Sequence, residues 1–299
     1  METRGSLLAE AAAALHSAGF EEPRRHARRL VSLALAISPA GLFGDPDCPV
    51  DEQQIIRLRK MLGRMVEREP LSRILGRREF WGLEFALSPE TLDPRPETET
   101  VVEAVLRRKP DRHAPFRLLD LGTGTGCLLL ALLNEFPTAS GFGIDAAEAA
   151  VGTAVYNAAR LGLAERALFF VGDWATAVSG SFDVIVANPP YIESANLGLL
   201  PRAVIDYDPR PALDGGEDGL APLRVIAADL PRLLASDGIF ATEVGVDQAD
   251  RVAAIMKAHR LALDGIEKDL ASKGRCVVTR RGDIEIGKQK MVGIRRGPV

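Results

Sequence analysis

An amide side chain, two prolines and an aromatic ring follow one another where the apolar run "VIVANPPY" ends. A planar –NH2 group is a poor nucleophile because its lone pair is delocalised, and its two hydrogens need acceptors. The side-chain oxygen of Asn188 and the carbonyl oxygen of Pro189 can accept them, while Pro190 stiffens the turn and offers no competing N–H. Tyr191 can lie over the planar group. These four residues predict a site that holds a planar amine.

A glycine-rich loop stands upstream, in "LLDLGTGTGC". Its glycines predict a tight turn between a strand and a helix, which lets the backbone approach a ligand closely. The spacing is not the GxGxxG of dinucleotide sites, and an acid precedes the first glycine. An acid there suits a cationic ligand such as an α-ammonium group, whereas a pyrophosphate favours a helix N-terminus without negative charge. The loop residues predicted to contact a cofactor are Asp120, Gly122, Thr123, Gly124 and Gly126.

Two more acids follow at the ends of the next two predicted strands. Asp145 ends the second strand, where a carboxylate can accept hydrogen bonds from both hydroxyls of a ribose. Asp173 ends the third strand, where it can accept from the adenine amino group, with Trp174 as a flat neighbour. Open α/β sheets bind ligands at the carboxyl ends of their strands. An ammonium, a ribose and an adenine together predict S-adenosylmethionine, and the alternatives are an NAD enzyme and a non-catalytic fold.

The "NPPY" motif would then be the place of methyl transfer. Two acceptors on the amine hydrogens hold the nitrogen's lone-pair axis toward the methyl sulfonium, which is positioning with electrostatic preorganisation. Asn188 therefore counts both as a catalytic and as a cofactor-binding residue. No general base is needed in the motif, because the methylated product sheds its proton easily. The residues leave the amine open, since adenine N6, cytosine N4 and a glutamine side chain all fit.

The first 70 residues predict a small helical domain in front of this site. In "SLLAEAAAALHSAGF" apolar residues recur at helical spacing between Ser6, a predicted N-cap, and Gly19, a predicted stop. A second helix is predicted over 21–38, and a longer amphipathic helix that Pro70 closes. This region carries no catalytic pattern, so an interaction module and a stabilising appendage are both open.

The rest of the chain predicts a hairpin and then an α/β sheet. The alternation in "EFWGLEFAL" indicates a short hairpin, followed by a proline-punctuated loop. From residue 115 onward short apolar strands alternate with helical stretches, which predicts a mostly parallel, doubly wound sheet with helices on both faces. The last two strands are expected as an antiparallel edge. The predicted strands are "FRLLDLG", "SGFGID", "ALFFVGD", "FDVIVAN", "GIFATEV", "LALDGIEKDL" and "RCVVTRR".

Composition sets further bounds. The 299 residues carry a net charge of −4, with 46% hydrophobic and 26% charged residues, which is ordinary for a soluble globular protein. This balance does not point to a nucleic-acid or membrane partner. Cys48, Cys127 and Cys276 show neither metal-ligand spacing nor a disulfide framework. Neither a secretory signal nor a membrane span is visible, so we expect a cytoplasmic protein without a metal site.

Five stretches together resemble one family. They are "REFWGLEFALSPETLDPRPETETVVE", "DLGTGTG", "NPPYI", "DYDPRPALDGGEDGL" and "KDLASKGRCVV". They resemble the PrmC/HemK family of glutamine N5-methyltransferases, which modify peptide chain release factors. The resemblance runs from the helical N-terminal region to about residue 281. "NPPY" alone is shared with amino-methylating DNA enzymes, so the "PRPETE" linker and the "ALDGGEDGL" segment make the match specific.

The resemblance implies a fold, a domain division and a substrate. The fold would be α/β, that of a class I S-adenosylmethionine-dependent methyltransferase with a Rossmann-like seven-stranded sheet and a small all-helical N-terminal domain. Residues 1–75 would recognise the substrate, 76–100 form the hairpin and linker, and 101–281 the catalytic domain. Residues 282–299 lack clear periodicity and extend past the usual end of the family, so we expect a loose tail there. The substrate would be the glutamine of the Gly-Gly-Gln loop in class-1 release factors. We expect a monomer that requires neither a membrane nor a nucleic acid directly.

The resemblance also implies roles for single residues. Gly122 and Gly124 would line the methionine part of the cofactor, Asp145 would bind the ribose, Asp173 and Trp174 would border the adenine, and Asn188 to Tyr191 would hold the glutamine amide. Asp93 departs from the pattern, because the family usually has an aliphatic residue there. The alternative substrates are a ribosomal-protein glutamine and the amino group of a nucleic-acid base. The second would usually need a basic reading surface, which the acidic pI of 5.7 does not favour.

Overall fold

The computed structural model of the protein describes residues 1–282. Five helices lie within the first 75 of them and bury a hydrophobic cluster drawn from this region alone. The helical region therefore has a core of its own, separate from that of the sheet. Its helices are α1 (Arg4–Ser17), α2 (Pro23–Leu35), α3 (Pro39–Gly44), α4 (Glu52–Val66) and α5 (Leu71–Leu75).

Helix α1 begins earlier than the sequence predicts. Thr3 is the N-cap, and its hydroxyl oxygen accepts from the Ser6 N–H at 3.3 Å. The Ser6 hydroxyl oxygen in turn accepts from the Thr3 N–H at 2.9 Å, which completes a capping box. The prediction of Ser6 as the N-cap was wrong. Both residues of a capping box carry a side-chain acceptor, and here Thr3 is the N-cap while Ser6 is the third residue of the helix. At the other end α1 stops at Ser17, and Gly19 has the left-handed φ of +72° of a residue beyond a helix end.

Helix α4 ends at Val66, before the predicted stop at Pro70. Arg68 has a left-handed φ of +74° and turns the chain away from the helix axis. Pro70 is instead the N-cap of α5, where its missing N–H leaves no helical hydrogen bond unmade. The prediction that Pro70 closes α4 was therefore wrong, because the chain reverses at Arg68 and Pro70 begins the next helix.

A two-residue hairpin joins the helical region to the sheet. Strands β1 (Arg77–Phe80) and β2 (Leu83–Ala86) pair antiparallel. Trp81 and Gly82 lie between them with φ of +52° and +69°, as a type I′ turn requires. The indole N–H of Trp81 donates to the Glu135 carboxylate at 2.8 Å, which ties the hairpin to the α/β region.

Seven further strands form one sheet. They are β3 (Arg117–Leu121), β4 (Ser140–Asp145), β5 (Ala167–Val171), β6 (Phe182–Ala187), β7 (Leu234–Glu243), β8 (Leu261–Lys268) and β9 (Gly274–Arg281). Their order is β5-β4-β3-β6-β7-β9-β8, and neighbours among the first five pair parallel. Strand β9 lies between β7 and β8 and is antiparallel to both. The predicted seven-stranded α/β fold is confirmed, although β9 alone runs against the other strands and it is not at the edge.

Helices cover both faces of this sheet. In β3, Leu118 belongs to one hydrophobic cluster and Leu119 to the other, as alternation in a strand buried on both faces requires. The α-helices are α6 (Glu99–Arg108), α7 (Cys127–Glu135), α8 (Glu148–Arg160), α9 (Arg202–Ile205), α10 (Ala221–Leu233) and α11 (Ala249–Ala258), with 3-10 helices at Pro96–Thr98, Ser194–Leu199 and Arg210–Ala212.

The strand order creates a switch point beside β3. The chain runs from β3 to β4 and β5 on one side, and then returns to place β6 on the other side. Ligands bind outside the carboxyl ends of the strands at such a point. The loops after β3 to β6 carry the glycine loop, the two strand-end acids and "NPPY", so the fold brings all of them to one edge.

Two further predictions concern membrane spans and the C-terminal tail. None of the helices within residues 1–282 has the length and apolar character of a membrane span. The loose tail predicted for the C-terminus lies, from residue 283 onward, outside the described residues.

Candidate active site

A cavity of about 390 Å³ opens at the carboxyl ends of the central strands. A second cavity of about 190 Å³ adjoins it, and both are lined by Leu92, Asn188 and Ala212. Most of the predicted site residues meet in the two. The predicted site residues that line the first cavity are Asp120, Gly122, Thr123, Gly124, Asp145, Asp173, Trp174, Asn188 and Pro190. The second takes Asn188, Pro189 and Tyr191.

Gly126 is the predicted site residue that lines neither cavity. It is the N-cap of α7, with a left-handed φ of +80°. A Cβ at this position would lie 3.1 Å from Cδ1 of Leu130 and 3.3 Å from Cβ of Ala154. The absence of a side chain at Gly126 lets α7 pack closely on α8, and its contact with a cofactor stays a prediction.

The glycine loop is held against the end of β4. The N–H groups of Gly122 and Thr123 both donate to the carbonyl oxygen of Ile144 at 2.9 Å. The N–H of Gly124 donates to Oδ2 of Asp145 at 2.8 Å. Gly122 and Gly124 have φ of +75° and +55°, and a Cβ on Gly124 would meet no atom within 4 Å. The backbone at Gly124 therefore presents itself directly to the cavity.

Asp120 is a buried acid with one oxygen unsatisfied. Its carboxylate is 1% exposed and accepts from the Thr123 hydroxyl at 2.6 Å through Oδ2. Its Oδ1 has no hydrogen-bond partner among the described residues. Burial raises the pKa of Asp120 to about 7, although the hydrogen bond from Thr123 opposes the rise. A carboxylate in this state is suited to receive a cationic group that enters the cavity.

Asp145 and Trp174 also line the first cavity. Asp145 accepts from two backbone N–H groups, that of Gly124 through Oδ2 and that of Ala147 at 3.0 Å through Oδ1. These bonds fix the carboxylate and leave a second lone pair on each oxygen for a ligand. Trp174 has a left-handed φ of +46°, which is uncommon outside glycine, and its ring would lie 3.3 Å from a Cβ on Gly122. The ring therefore stands beside the glycine loop, next to Asp173.

The "NPPY" residues lie where the two cavities meet. The Asn188 amide nitrogen donates to the Thr98 hydroxyl oxygen at 3.2 Å, and Asn188 Oδ1 accepts no hydrogen bond within residues 1–282. Pro190 faces the first cavity, whereas Pro189 and Tyr191 face the second. The amide side chain of Asn188 thus lies between the acid-lined cavity and the cavity lined by the rest of the motif.

The "ALDGGEDGL" segment holds the backbone of this motif in place. Ile192 pairs with Asp214 in a parallel bridge, and the Gly215 N–H donates to the Ile192 carbonyl at 2.8 Å. A Cβ on Gly219 would lie 2.4 Å from the Tyr191 carbonyl oxygen. That same oxygen accepts from the side-chain amide of Gln248 at 3.0 Å. The glycines of the segment are needed because two stretches of backbone touch there.

Sequence reasoning missed Glu243 as a site residue. It ends β7, is 1% exposed, and accepts from the Thr98 hydroxyl at 2.5 Å and from the Tyr191 hydroxyl at 3.1 Å. Burial raises the pKa of Glu243, and burial together with the nearby Glu243 charge raises the pKa of Tyr191. The available signal was an acid at the end of a predicted strand, like Asp145 and Asp173.

Asp93, which departs from the family pattern, lies in a buried polar cluster. Its side chain is 2% exposed and accepts from the Ser72 hydroxyl, and its Oδ1 lies 3.6 Å from Nε of Arg78. Its backbone N–H donates to Asp208, which is paired with Arg73 at 2.7 Å. Ionic and hydrogen-bonded contacts therefore replace the apolar packing of an aliphatic side chain.

The sequence and the fold of this chain are similar to those of known methyltransferases. Residues 6–76 match the family described as PrmC N-terminal domain, and residues 98–202 match the methyltransferase small domain. The release factor glutamine methyltransferase of Rhodospirillum rubrum is 49% identical over 93% of this chain and 85% of its own length. That of Agrobacterium fabrum is 43% identical over 89% of this chain and 93% of its own. A solved methyltransferase from Pyrococcus furiosus shares the fold, with a TM-score of 0.51 at 15% identity over 75% of this chain and 98% of that one.

Proposed function

Because the chain belongs to the family of release factor glutamine methyltransferases, we propose that it methylates class-1 peptide chain release factors. The methyl group of S-adenosylmethionine passes to the side-chain amide nitrogen (N5) of the glutamine in their Gly-Gly-Gln motif. The observation that carries the proposal is the position of Asn188 at the junction of two cavities, one lined by acids and glycines and one by "NPPY".

The residues of the first cavity fit S-adenosylmethionine. The unpartnered Oδ1 of Asp120 suits the α-ammonium group, and the fixed carboxylate of Asp145 has lone pairs for the two ribose hydroxyls. Asp173 and Trp174 can border the adenine, as an acceptor and a flat wall. The exposed backbone at Gly124 lets the methionine part approach closely. When bound, the cofactor supplies an electrophilic methyl carbon on its sulfonium.

The residues around the second cavity suit an amide substrate. Asn188 Oδ1 and the Pro189 carbonyl oxygen can each accept one hydrogen of a glutamine –NH2 group. Pro190 has no N–H to compete for them, and its ring stiffens the turn. The amide nitrogen is thereby oriented toward the first cavity, which lowers the barrier by positioning and preorganised dipoles. Proton loss follows transfer, because an N-methylated, positively charged amide is a strong acid.

The substrate has to reach the site as a protein. The helical region and the hairpin lie on the same chain in front of the catalytic sheet, and we assign them the task of holding the release factor. Since release factors act at the ribosome, we expect the enzyme in the cytoplasm. A single copy of the chain contains every residue assigned above, so we expect activity from the monomer.

Mass spectrometry after reaction with a labelled cofactor tests this function. The protein is incubated with methyl-labelled S-adenosylmethionine and a class-1 release factor, and the label is mapped. We expect one methyl group on the glutamine of Gly-Gly-Gln, and none on a release factor whose motif glutamine is replaced by alanine. Label on a ribosomal protein or on DNA in parallel reactions, with none on the release factor, would overturn the assignment.

Asn188→Ala separates catalysis from cofactor binding in the same assay. We expect transfer to fall by at least about 100-fold because an acceptor for the amine hydrogens is lost. Affinity for S-adenosylmethionine, measured by calorimetry, should stay within a few-fold of the parent. A large loss of cofactor affinity would instead show that Asn188 belongs chiefly to the cofactor site.

A further inference from the structure

Asn188 can perform its assigned role only if its amide points in one of two directions. With Oδ1 toward the substrate it accepts a hydrogen bond from the glutamine –NH2 group. If the amide were rotated by 180° about its last bond, the –NH2 group of Asn188 would face the –NH2 group of the substrate, and neither could accept a hydrogen bond. The two orientations have nearly the same shape, so packing hardly distinguishes them. The orientation therefore depends on a polar partner on the side of the Asn188 amide that faces away from the substrate.

Thr98 is that partner, and its single hydrogen is already in use. The Thr98 hydroxyl donates to Oε2 of Glu243 at 2.5 Å, and the Tyr191 hydroxyl donates to Oε1 of the same carboxylate at 3.1 Å. A hydroxyl group has one hydrogen, and Thr98 gives it to this carboxyl group. The Thr98 oxygen can therefore only accept a hydrogen bond from Asn188, and it lies 3.2 Å from Nδ2 of Asn188. Its lone pairs attract the amide –NH2 group and repel the amide oxygen.

The burial of the network makes this selection strong. Thr98 and Glu243 are each 1% exposed, so water cannot replace a lost partner. Thr98 stands at the start of α6, yet its hydroxyl makes no hydrogen bond to the helix end. A threonine at a helix start commonly caps that helix, so this hydroxyl has been diverted to Glu243. Burying a carboxylate is unfavourable for folding, which favours a function for Glu243.

We propose that Glu243 and Thr98 are positioning residues that fix the amide orientation of Asn188, so that Oδ1 faces the substrate. The Glu243 carboxylate takes the hydroxyl hydrogens of Thr98 and Tyr191, and both ends of the "NPPY" motif are thereby set by one buried acid. This inference rests on the proposed function, because it names what the network prepares Asn188 to hold.

Four single variants of the full chain test the role. Thr98→Val keeps the shape of the side chain and removes the lone pairs, Thr98→Ser keeps the hydroxyl, and Glu243→Gln places a donor where only acceptors stand. Thr279→Val is the matched control, because Thr279 is 0% exposed and its hydroxyl oxygen has no partner among the described residues. For each variant we would measure kcat, KM for the release factor and calorimetric affinity for S-adenosylmethionine.

The network predicts a specific pattern. We expect Thr98→Val and Glu243→Gln to lower kcat by about 10- to 100-fold, while the cofactor affinity stays within about 3-fold. Thr98→Ser should restore kcat to within about 3-fold of the parent, and Thr279→Val should leave it unchanged. The proposal fails if Thr98→Val retains kcat within 3-fold, or if Thr98→Ser loses as much as Thr98→Val. A folding defect in Glu243→Gln leaves the threonine pair to decide.

A second readout does not depend on the substrate. In the ¹⁵N-labelled protein the side-chain –NH2 signals of Asn188, assigned by their absence in Asn188→Ala, report on the hydrogen bond to Thr98. We expect their exchange with water to be at least about 10-fold faster in Thr98→Val than in the parent, and unchanged in Thr279→Val. If the parent methylates no release factor, the proposed function fails but the network is still judged here. Equal exchange in Thr98→Val and the parent would overturn the network.

Discussion

Two buried carboxyl groups in the site differ in how well their oxygens are satisfied. Glu243 accepts from two hydroxyl groups, one on each of its oxygens, and both donors belong to the protein. Asp120 lines the first cavity, accepts from one hydroxyl, and has a second oxygen without a partner among the described residues. A carboxylate with hydrogen bonds on both oxygens orients its neighbours, whereas one with an unpartnered oxygen can still accept a hydrogen bond from a ligand. We therefore assign Glu243 to positioning and Asp120 to the ligand.

The titration of Asp120 leads to a prediction about cofactor affinity. Burial raises its pKa to about 7 in the unliganded protein, with the charge of Asp145 adding to the rise and the Thr123 hydroxyl opposing it. A raised pKa means that the folded, unliganded protein holds the proton more tightly than the unfolded chain, and loses stability as pH rises from about 4 toward 7. Binding of an ammonium group has the opposite requirement, because it needs the ionised carboxylate.

We therefore expect affinity for S-adenosylmethionine to increase by about 10-fold between pH 5.5 and pH 7, with uptake of the ligand releasing a proton in this range. Calorimetry in two buffers of different ionisation enthalpy measures both quantities. Asp120→Asn is the control, and it should bind more weakly and lose most of the pH dependence. An equal pH dependence in Asp120→Asn would remove Asp120 from the ammonium site.

At the scale of elements, the loop after β6 is shaped by a segment more than 20 residues further along the chain. The strand itself is ordinary, but the backbone after Tyr191 is paired with residues 213–216, and Gly219 packs against its carbonyl oxygen. The Gln248 amide then bonds that oxygen from the start of α11. The motif is thus rigid because two stretches of backbone and the Gln248 side chain meet at it.

Gly219→Ala should damage the motif through this contact. Gly219 has a φ of +72°, and the added Cβ would lie 2.4 Å from the Tyr191 carbonyl oxygen and 2.7 Å from the Gln248 amide nitrogen. We expect kcat to fall by at least about 10-fold, with a loss of roughly 1–3 kcal/mol in the free energy of unfolding.

Gly198→Ala is the matched control, because its added Cβ would meet nothing within 4 Å and its φ is not in the left-handed region. Release factor methylation and urea unfolding of the two variants give the comparison. Similar kcat values for Gly219→Ala and Gly198→Ala would show that the close contact does not set the geometry of the motif.

At the scale of the whole molecule, the helical region is joined to the catalytic region through buried charges. Its hydrophobic core is its own, and we propose that it is a separate domain up to residue 75, followed by the hairpin and linker to residue 100 and the catalytic domain to residue 281. Arg73 in α5 reaches Asp208 at 2.7 Å, with the two side chains 8% and 2% exposed. Residues just after Asp208 line both cavities, so this pair connects the helical region to the wall of the site.

A double-mutant cycle on Arg73 and Asp208 measures that connection. Either Arg73→Met or Asp208→Asn removes a buried ion pair, and we expect each to lower the free energy of unfolding by about 1–3 kcal/mol. The loss is limited because Asp208 also contacts Arg95, and Arg73 also donates to two backbone carbonyl oxygens. The double variant should lose clearly less than the sum, because the contact between Arg73 and Asp208 can be lost only once. Removal of the exposed pair Arg202 and Asp206, with side chains 79% and 37% exposed, should change it by less than about 0.5 kcal/mol. Additive losses at the buried pair would mean that the two side chains are not coupled.

Much of the fold and the site could be predicted from local patterns. Strand β4 was predicted with its observed bounds, and the glycine loop, Asp145, Asp173 and "NPPY" were expected at one sheet edge, where they lie. Local rules also misled. Ser6 and Pro70 are a good N-cap and a good stop by type, but the neighbouring Thr3 and Arg68 decide where those helices begin and end.

The sequence alone determined which groups are available for chemistry and on which edge they stand, because strand periodicity and strand-end position are local properties. Only the tertiary structure decided which of those groups act on one another. Thr98 and Glu243 are 145 positions apart, and Thr98 and Asn188 are 90 apart, so no spacing in the chain indicates that they touch. The strand order places β6 and β7 side by side and so brings Asn188 near Glu243, and the packing of α6 against β7 adds Thr98. A hydrogen bond depends on distances of about 3 Å, and such distances between remote residues exist only once the sheet and its helices have packed.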